Sequence, residues 1–331
     1  MEPTSAQTTT HPTRLLGTSG IAITPIIMGT WQAGKRGWVG IDDQEIIQAL
    51  RAGFDAGITT FDTAEVYGEG YSEQLVGQAL ADVRDRVVYA TKVFANHMKY
   101  QQVIDACEAS LRRLKTDYID LYQIHWPSGS FNTEVVPIAE TMQALMELKQ
   151  QGKIRAIGVS NFSRQQLAEA AQYGPIDSLQ PPYSLFWRQL ERDAMPYCIE
   201  HNLTILAYSP LAQGLLTGRF GPGHQFAQGD VRASNKLFKG ETYERAQTAL
   251  AQLRPIAERK QCSLAQLALA WVIAQPQCCA IAGARNSEQA THNAQAMSIQ
   301  LSAADLAEMD TIGRIVTDHL DDNPILWDFA A

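Results

Sequence analysis

The chain alternates between two hydropathy patterns. Short apolar runs, several rich in β-branched residues, occupy positions 26–29, 59–62, 87–92, 119–125, 156–160, 178–180, 204–208 and 279–282. They are too short for helices and read as buried strands. Between them lie segments whose apolar residues recur at helical spacing. Over 43–56, Ile46, Ile47, Leu50 and Phe54 share one face; over 101–114, Val103, Ile104, Cys107, Leu111 and Leu114 do the same. A helix predicted over 134–151 stops at Gly152, and one over 264–274 starts from a Ser263 cap and stops before Pro276.

Strand then helix, eight times over, predicts an α/β protein with parallel pairing and right-handed crossovers. Eight such units close most simply into a (β/α)8 TIM barrel. An open doubly wound sheet is the alternative. Its dinucleotide-binding members usually carry GxGxxG after the first strand, and this chain has no GxGxxG. Residues 14–23 are predicted to form a short N-terminal β-hairpin that turns at Thr18-Ser19-Gly20 and plugs the barrel floor. Residues 1–13 are polar, lack the apolar stretch of a signal peptide, and read as a disordered tail. Residues 14–331 read as a single barrel domain. Its last segment carries Trp327 and Phe329, which could fold over the barrel mouth or dock on its side.

Composition narrows the function. With 331 residues, 45% apolar and 19% charged, the chain can bury a large core without staples. A net charge of −8 argues against a general nucleic-acid binder. No run approaches the roughly 20 apolar residues needed to cross a bilayer. The five cysteines, Cys107, Cys198, Cys262, Cys278 and Cys279, include no CxxC. They predict buried thiols in a cytoplasmic protein, not a disulfide framework or a zinc ribbon. No HExxH or clustered ligand spacing suggests a metal. A monomer with a small-molecule partner is expected.

In such a barrel, chemistry gathers where strands end. The second run ends in Asp62, with Tyr67 five residues on. The third ends in Lys92 and the fourth in His125-Trp126, the fifth ends in Ser160-Asn161, the sixth in Gln180, and the seventh in Tyr208-Ser209-Pro210. A lone lysine or histidine at a strand end is usually structural. An acid, a phenol, an amine and an imidazole from three adjacent strands are a different matter, because a closed barrel aims all four at one point.

At this constellation the sequence resembles the aldo-keto reductase family, from about residue 14 to about 312. The resemblance is carried by Met28-Gly29-Thr30-Trp31, Phe61-Asp62-Thr63-Ala64 through Tyr67-Gly68, Thr91-Lys92, Ile124-His125, and Ile157 to Phe162. Tyr208-Ser209-Pro210-Leu211, Gly214 to Gly218 and Gly283-Ala284-Arg285 complete it. The long loop after the seventh strand is similar to the bacterial branch that also resembles potassium-channel β-subunits.

The residue types then suggest a mechanism. Reduction of a carbonyl by hydride leaves charge on oxygen, and a proton must be supplied there. Tyr67 is the expected donor, Lys92 is expected to lower its pKa, and Asp62 to hold Lys92 charged. His125 is expected to orient the carbonyl; the resemblance implies these same four roles. Hydride needs a carrier, which the resemblance implies is NADPH/NADP. Tyr208 can stack on the nicotinamide, and Ser160, Asn161 and Gln180 can bond its carboxamide. Ser209, Pro210, Leu211 and Gly214 would lie along the pyrophosphate. By resemblance Gly29, Thr30, Trp31 and Asp62 also face the cofactor. Gly283 and Arg285 precede a helix starting near Asn286, where Arg285 could clamp a 2′-phosphate. Gln289 and Asn293 would face the adenine; the family often has an acid beside that Asn, and here the neighbour is His292. Trp31, Phe94, Trp126 and Trp187 are candidates for an apolar wall, and Trp31, Tyr67, Phe94, His125 and Trp126 are taken as the substrate contacts.

Gly29 to Gly34-Lys35 has the spacing of a Walker A loop, but Arg36 replaces the Ser/Thr that would bind magnesium, so a P-loop is not expected. The expected function is NADPH-dependent reduction of aldehydes and ketones to alcohols. The alternatives are an NADPH-binding redox sensor with little turnover and a cofactor-free barrel isomerase or hydrolase.

Overall fold

The structure, a computed structural model, describes residues 12–323 and Ile325. The expected tail, but for Pro12 and Thr13, and the segment holding Trp327 and Phe329 lie outside the described residues. Strands β1 (Arg14–Leu15) and β2 (Ala22–Ile23) pair antiparallel as a hairpin. Eight parallel strands then close a barrel: β3 (Ile26–Gly29), β4 (Thr60–Asp62), β5 (Val88–Val93), β6 (Ile119–Ile124), β7 (Ile154–Ser160), β8 (Ser178–Gln180), β9 (Thr204–Ala207) and β10 (Cys278–Gly283). β10 pairs with both β3 and β9, so the ring has no open edge. The fold is the (β/α)8 barrel expected from the alternating pattern.

The crossovers are α1 (Asp43–Asp55), α2 (Tyr71–Ala79), α3 (Tyr100–Leu114), α4 (Ile138–Gln150), α5 (Arg164–Ala170) and α6 (Ala194–Glu200). After β9 come α7 (Gly240–Arg259) and α8 (Leu264–Ala274); α9 (Ser287–Ala294) and α10 (Ala303–Thr317) follow β10. Ser263 caps α8 in a reciprocal box with Gln266, as its position promised. The helix expected from 134 begins only at Ile138, because Pro137 disfavours helical backbone in the residue before it. The helices α7 and α10 were not read from the sequence; they pack on each other.

Period-2 alternation divides the strands between two cores. Ile26, Met28, Phe61, Tyr89, Tyr122, Ile157 and Ile205 face outward to the helices. Ile27, Val88, Ala90, Leu121, Ala156, Leu206, Cys279 and Ile281 face the barrel axis, where Leu16, Ile21 and Ile23 of the hairpin join them. Gly17 N donates to Thr204 Oγ1 at the start of β9 (2.8 Å), which ties the hairpin to the amino-terminal end of the barrel. The hairpin thus packs against the floor, and among the described residues the cleft opens at the carboxyl ends of the strands.

Candidate active site

The inward parity that builds the apolar floor also builds the site. Two residues above Ala90 on β5 stands Lys92; two above Leu121 stands Gln123, then His125. Two above Gly158 on β7 stands Ser160, and Gln180 closes β8. The register sets Lys92 beside Gln123 and Ser160 beside Gln180. His125, Ser160 and Gln180 line a cleft of about 1300 Å³ at the carboxyl end of the barrel, and Lys92 and Gln123 are buried among them.

Asp62 and Lys92 are an ion pair at 2.6 Å, with exposures of 3% and 0%. Lys92 Nζ also donates to Thr63 O (2.7 Å) and to the Tyr67 hydroxyl (3.5 Å). Tyr67 reaches this point because its loop folds back over the rim, with Glu65 N bonded to Lys92 O. A second turn presses on the loop from outside: a Cβ on Gly34 would stand 2.6 Å from Tyr67 C, and one on Gly68 2.5 Å from Gly34 O. Only glycine permits that approach, and Gly68 in addition has φ +60°. The His125 ring meets Tyr67 edge-on, centroids 5.6 Å apart, and its Nδ1 is buried with no hydrogen-bond partner among the described residues.

The electrostatics differ from expectation in one respect. Burial, with Asp62 beyond it, holds the Tyr67 hydroxyl well above the ordinary tyrosine pKa. Lys92 was expected to lower it. Burial draws Lys92 itself below the ordinary lysine range, Asp62 compensates its charge, and the phenol sits at the edge of bonding distance. Burial and the nearby Lys92 push His125 well below the ordinary histidine range, so the ring is neutral at pH 7. The site therefore holds a protonated phenol and a neutral imidazole side by side.

Beyond this group the cleft is lined by every residue expected at a cofactor: Gly29, Thr30, Trp31, Asp62, Ser160, Asn161, Gln180, Tyr208, Ser209, Pro210, Leu211, Gly214, Gly283, Arg285, Gln289 and Asn293. Asn161 Nδ2 donates to His125 O (3.1 Å) and Ser160 Oγ (3.0 Å), and Asn161 Oδ1 accepts from Tyr208 OH (2.9 Å). Asn161 and Ser209 both hold positive φ, 61° and 53°, unusual for residues with a side chain. At the far end Arg285 precedes α9, whose N-cap is Asn286. Its guanidinium lies over Trp38 at 5.3 Å, with Arg232 over the same ring at 5.5 Å. Burial above all, then Arg232 and Arg219, draws Arg285 below its ordinary pKa, against the opposing pull of Asp230, which pairs with Arg232 at 2.5 Å.

The apolar wall is partly as expected. Trp31, Tyr67, His125 and Trp126 line the cleft. Phe94 is not among its lining residues: it packs behind His125 and stacks on Phe131, and Phe131 is the ring that reaches the cleft. Trp187 is 1% exposed and belongs to the outer core. Near a strand end, the direction of a side chain is set by the loop. The Walker-like segment forms a 3-10 turn, Trp31–Gly34, at the rim, and Lys35 pairs with Asp43. Gln123, Trp38, Phe131, Phe220 and Arg232 were not singled out from the sequence. Parity would have found Gln123; the others lie on loops whose course the sequence does not show.

This geometry is that of an oxidoreductase barrel, and the comparisons agree. The family model described as Aldo/keto reductase family matches residues 25–314, and the chain belongs to that family. It is similar to an NADH-specific methylglyoxal reductase of Escherichia coli (strain K12): 37% identical over 317 residues, 89% of this chain and 96% of that one. A structure of glycerol dehydrogenase from Gluconobacter oxydans aligns with TM-score 0.83 and 34% identity, covering 96% of this chain and 98% of that chain. An aldo-keto reductase from Klebsiella pneumoniae, in complex with NADPH, aligns with TM-score 0.75 and 33% identity, covering 97% and 99%. The chain is thus an oxidoreductase of a family that works with nicotinamide cofactors on small carbonyl compounds. No helix among the described residues is long and apolar enough to cross a membrane.

Proposed function

We propose that this protein reduces aldehydes and ketones to alcohols with NADPH, and that Tyr67 donates the proton. The supporting observation is the meeting of Asp62, Lys92, Tyr67 and His125, from two strands and two strand-end loops, at the bottom of one cleft. A bound nicotinamide supplies hydride to the carbonyl carbon. Tyr67, kept protonated by burial, gives its hydroxyl proton to the carbonyl oxygen as charge develops there. Lys92 then stabilises the phenolate left behind, and Asp62 keeps Lys92 charged in a dry site. His125 donates a ring N–H to the same oxygen and fixes the carbonyl's approach. Trp31, Trp126 and Phe131 receive the apolar part of the substrate.

The cleft fits a dinucleotide phosphate on three features. Tyr208 offers a ring face beside Ser160, Asn161 and Gln180 at the chemical end. The loop from Ser209 through Gly214 offers backbone N–H groups between the two ends. Arg285 and Arg219, with Arg232 paired to Asp230, gather at the distal end, where a 2′-phosphate would sit. We therefore assign NADP over NAD, although the Escherichia coli relative is named NADH-specific. A cytoplasmic monomer completes the reading, with 14–331 as its single domain.

Tyr67→Phe tests the assignment. It is expected to lower kcat by at least about 100-fold, the usual scale of a positioned acid, while NADPH still quenches the tryptophan fluorescence. Activity near that of the wild type would remove Tyr67 as the donor.

A further inference from the structure

Gln123 has no part in the roles assigned above, yet it is wholly buried, bonded to Asp62 and Gln180, which line the cleft. A Cβ on its neighbour Gly158 would stand 2.9 Å from Gln123 Cγ, so the glycine makes room for it. An amide in the barrel interior costs about 1–3 kcal/mol if left unbonded. Here both ends are used. Gln123 Nε2 donates to Asp62 Oδ2 at 3.4 Å, and Gln123 Oε1 accepts from Gln180 Nε2 at 3.3 Å. Gln180 Nε2 also donates to Asp62 Oδ2, at 2.9 Å.

An ionised carboxylate only accepts, so it can receive only the nitrogen of each amide. The three side chains therefore form a closed triangle in which Gln180 donates twice, Asp62 accepts twice and Gln123 does one of each. Both N–H groups of Gln180 point inward, one to Asp62 and one to Gln123. Its Oε1 takes no part in the triangle, and Gln180 itself lines the cleft. A flipped Gln180 would set its oxygen against the Asp62 carboxylate and the Gln123 oxygen together.

We propose that Gln123 is a positioning residue: it locks the Gln180 amide so that an acceptor oxygen faces the cleft, where the carboxamide N–H2 of a nicotinamide donates to it. This rests on the reading that the cleft takes a nicotinamide. The lock also joins the carboxamide site to the Asp62–Lys92 pair, so the ring's orientation and the charge behind Tyr67 share one hydrogen-bonded unit.

The test compares dissociation constants, by fluorescence titration, for NADPH and its reduced 3-acetylpyridine analogue, whose side group lacks the N–H2. The wild type is expected to prefer NADPH by about fivefold, the scale of one hydrogen bond. Gln123→Met is expected to reduce that preference below twofold, as is Gln180→Met, and the double variant to go no further. Gln123→Glu, buried beside the Asp62 carboxylate and therefore held protonated, keeps an O–H donor for Asp62 and an acceptor for Gln180, and is expected to keep the preference. If Gln123→Met does not fold, Gln123→Asn, which withdraws the amide by one methylene, is expected to lose the preference in its place. A wild-type preference in Gln123→Met or Gln123→Asn, or its loss in Gln123→Glu, overturns the proposal. A wild type that binds neither nucleotide overturns the function assigned above along with it; a wild type that binds both without preference overturns only the role of Gln123.

Discussion

Replacing Lys92 by Met removes a fully buried ammonium and leaves Asp62, 3% exposed, without its counter-charge. Breaking a buried pair by removing one partner typically costs about 3–5 kcal/mol. The lower end applies here, because Asp62 Oδ2 keeps the amide donors of Gln180 and Gln123 while only Oδ1 is orphaned. At about 2 °C per kcal/mol for a chain of this size, Lys92→Met is expected to melt about 6 °C below the wild type at pH 8. The double variant Lys92→Met/Asp62→Asn removes both charges and is expected to recover most of the stability while staying inactive as a reductase. Differential scanning fluorimetry from pH 5 to 9, beside an NADPH oxidation assay, reads all of this. A double variant as unstable as the single one, or a single one that melts with the wild type at every pH, would refute the ion-pair argument.

Other outcomes follow from the same geometry. Arg285→Ala is expected to weaken NADPH by about 10- to 100-fold, the range for hydrogen bonds to a charged group, and NADH by less than about threefold in the same titration. Equal losses would place no phosphate there. Carbonyl reduction is expected to run level through neutrality and fall on the alkaline side, where Lys92, its pKa lowered by burial, sheds its proton. Alcohol oxidation, which needs the Tyr67 phenolate, is expected to climb over the same range, since burial holds that pKa high. A reduction rate that climbs from pH 7 to 9 contradicts both assignments. Leu16→Ala, in the hairpin core at 0% exposure, is expected to cost about 2–5 kcal/mol in urea unfolding; an unchanged midpoint would mean that the hairpin does not pack on the barrel floor.

The barrel was legible because its strands are buried on both faces. Such strands are short apolar runs without the polar alternation of an exposed sheet, and all eight appear as such in the sequence. Asp62, Lys92 and His125 were legible for a related reason: a charged or hydrogen-bonding residue that ends an apolar run continues the inward parity into the cleft, whereas Tyr67 comes from the loop five residues past Asp62. Gln123 obeys the same rule and was passed over because it sits inside its run, one step before His125 on the same face. The helices α7 and α10 were missed where the βα alternation gave no cue for an extra element. Phe131 and Arg232 sit on loops, where position in sequence carries no direction in space. The electrostatic shift of Tyr67 could not be read either, because it depends on how dry the hydroxyl is and on how fully Asp62 has claimed Lys92.

The hairpin under the barrel makes the axis a cul-de-sac. On the function proposed here, nucleotide and carbonyl compound share a single doorway, and the nicotinamide must lie deepest, against Tyr208 and Gln180. Whatever enters second therefore seals in whatever entered first. On that reading, traffic through such a vestibule is expected to be sequential, the alcohol leaving before the oxidised nucleotide.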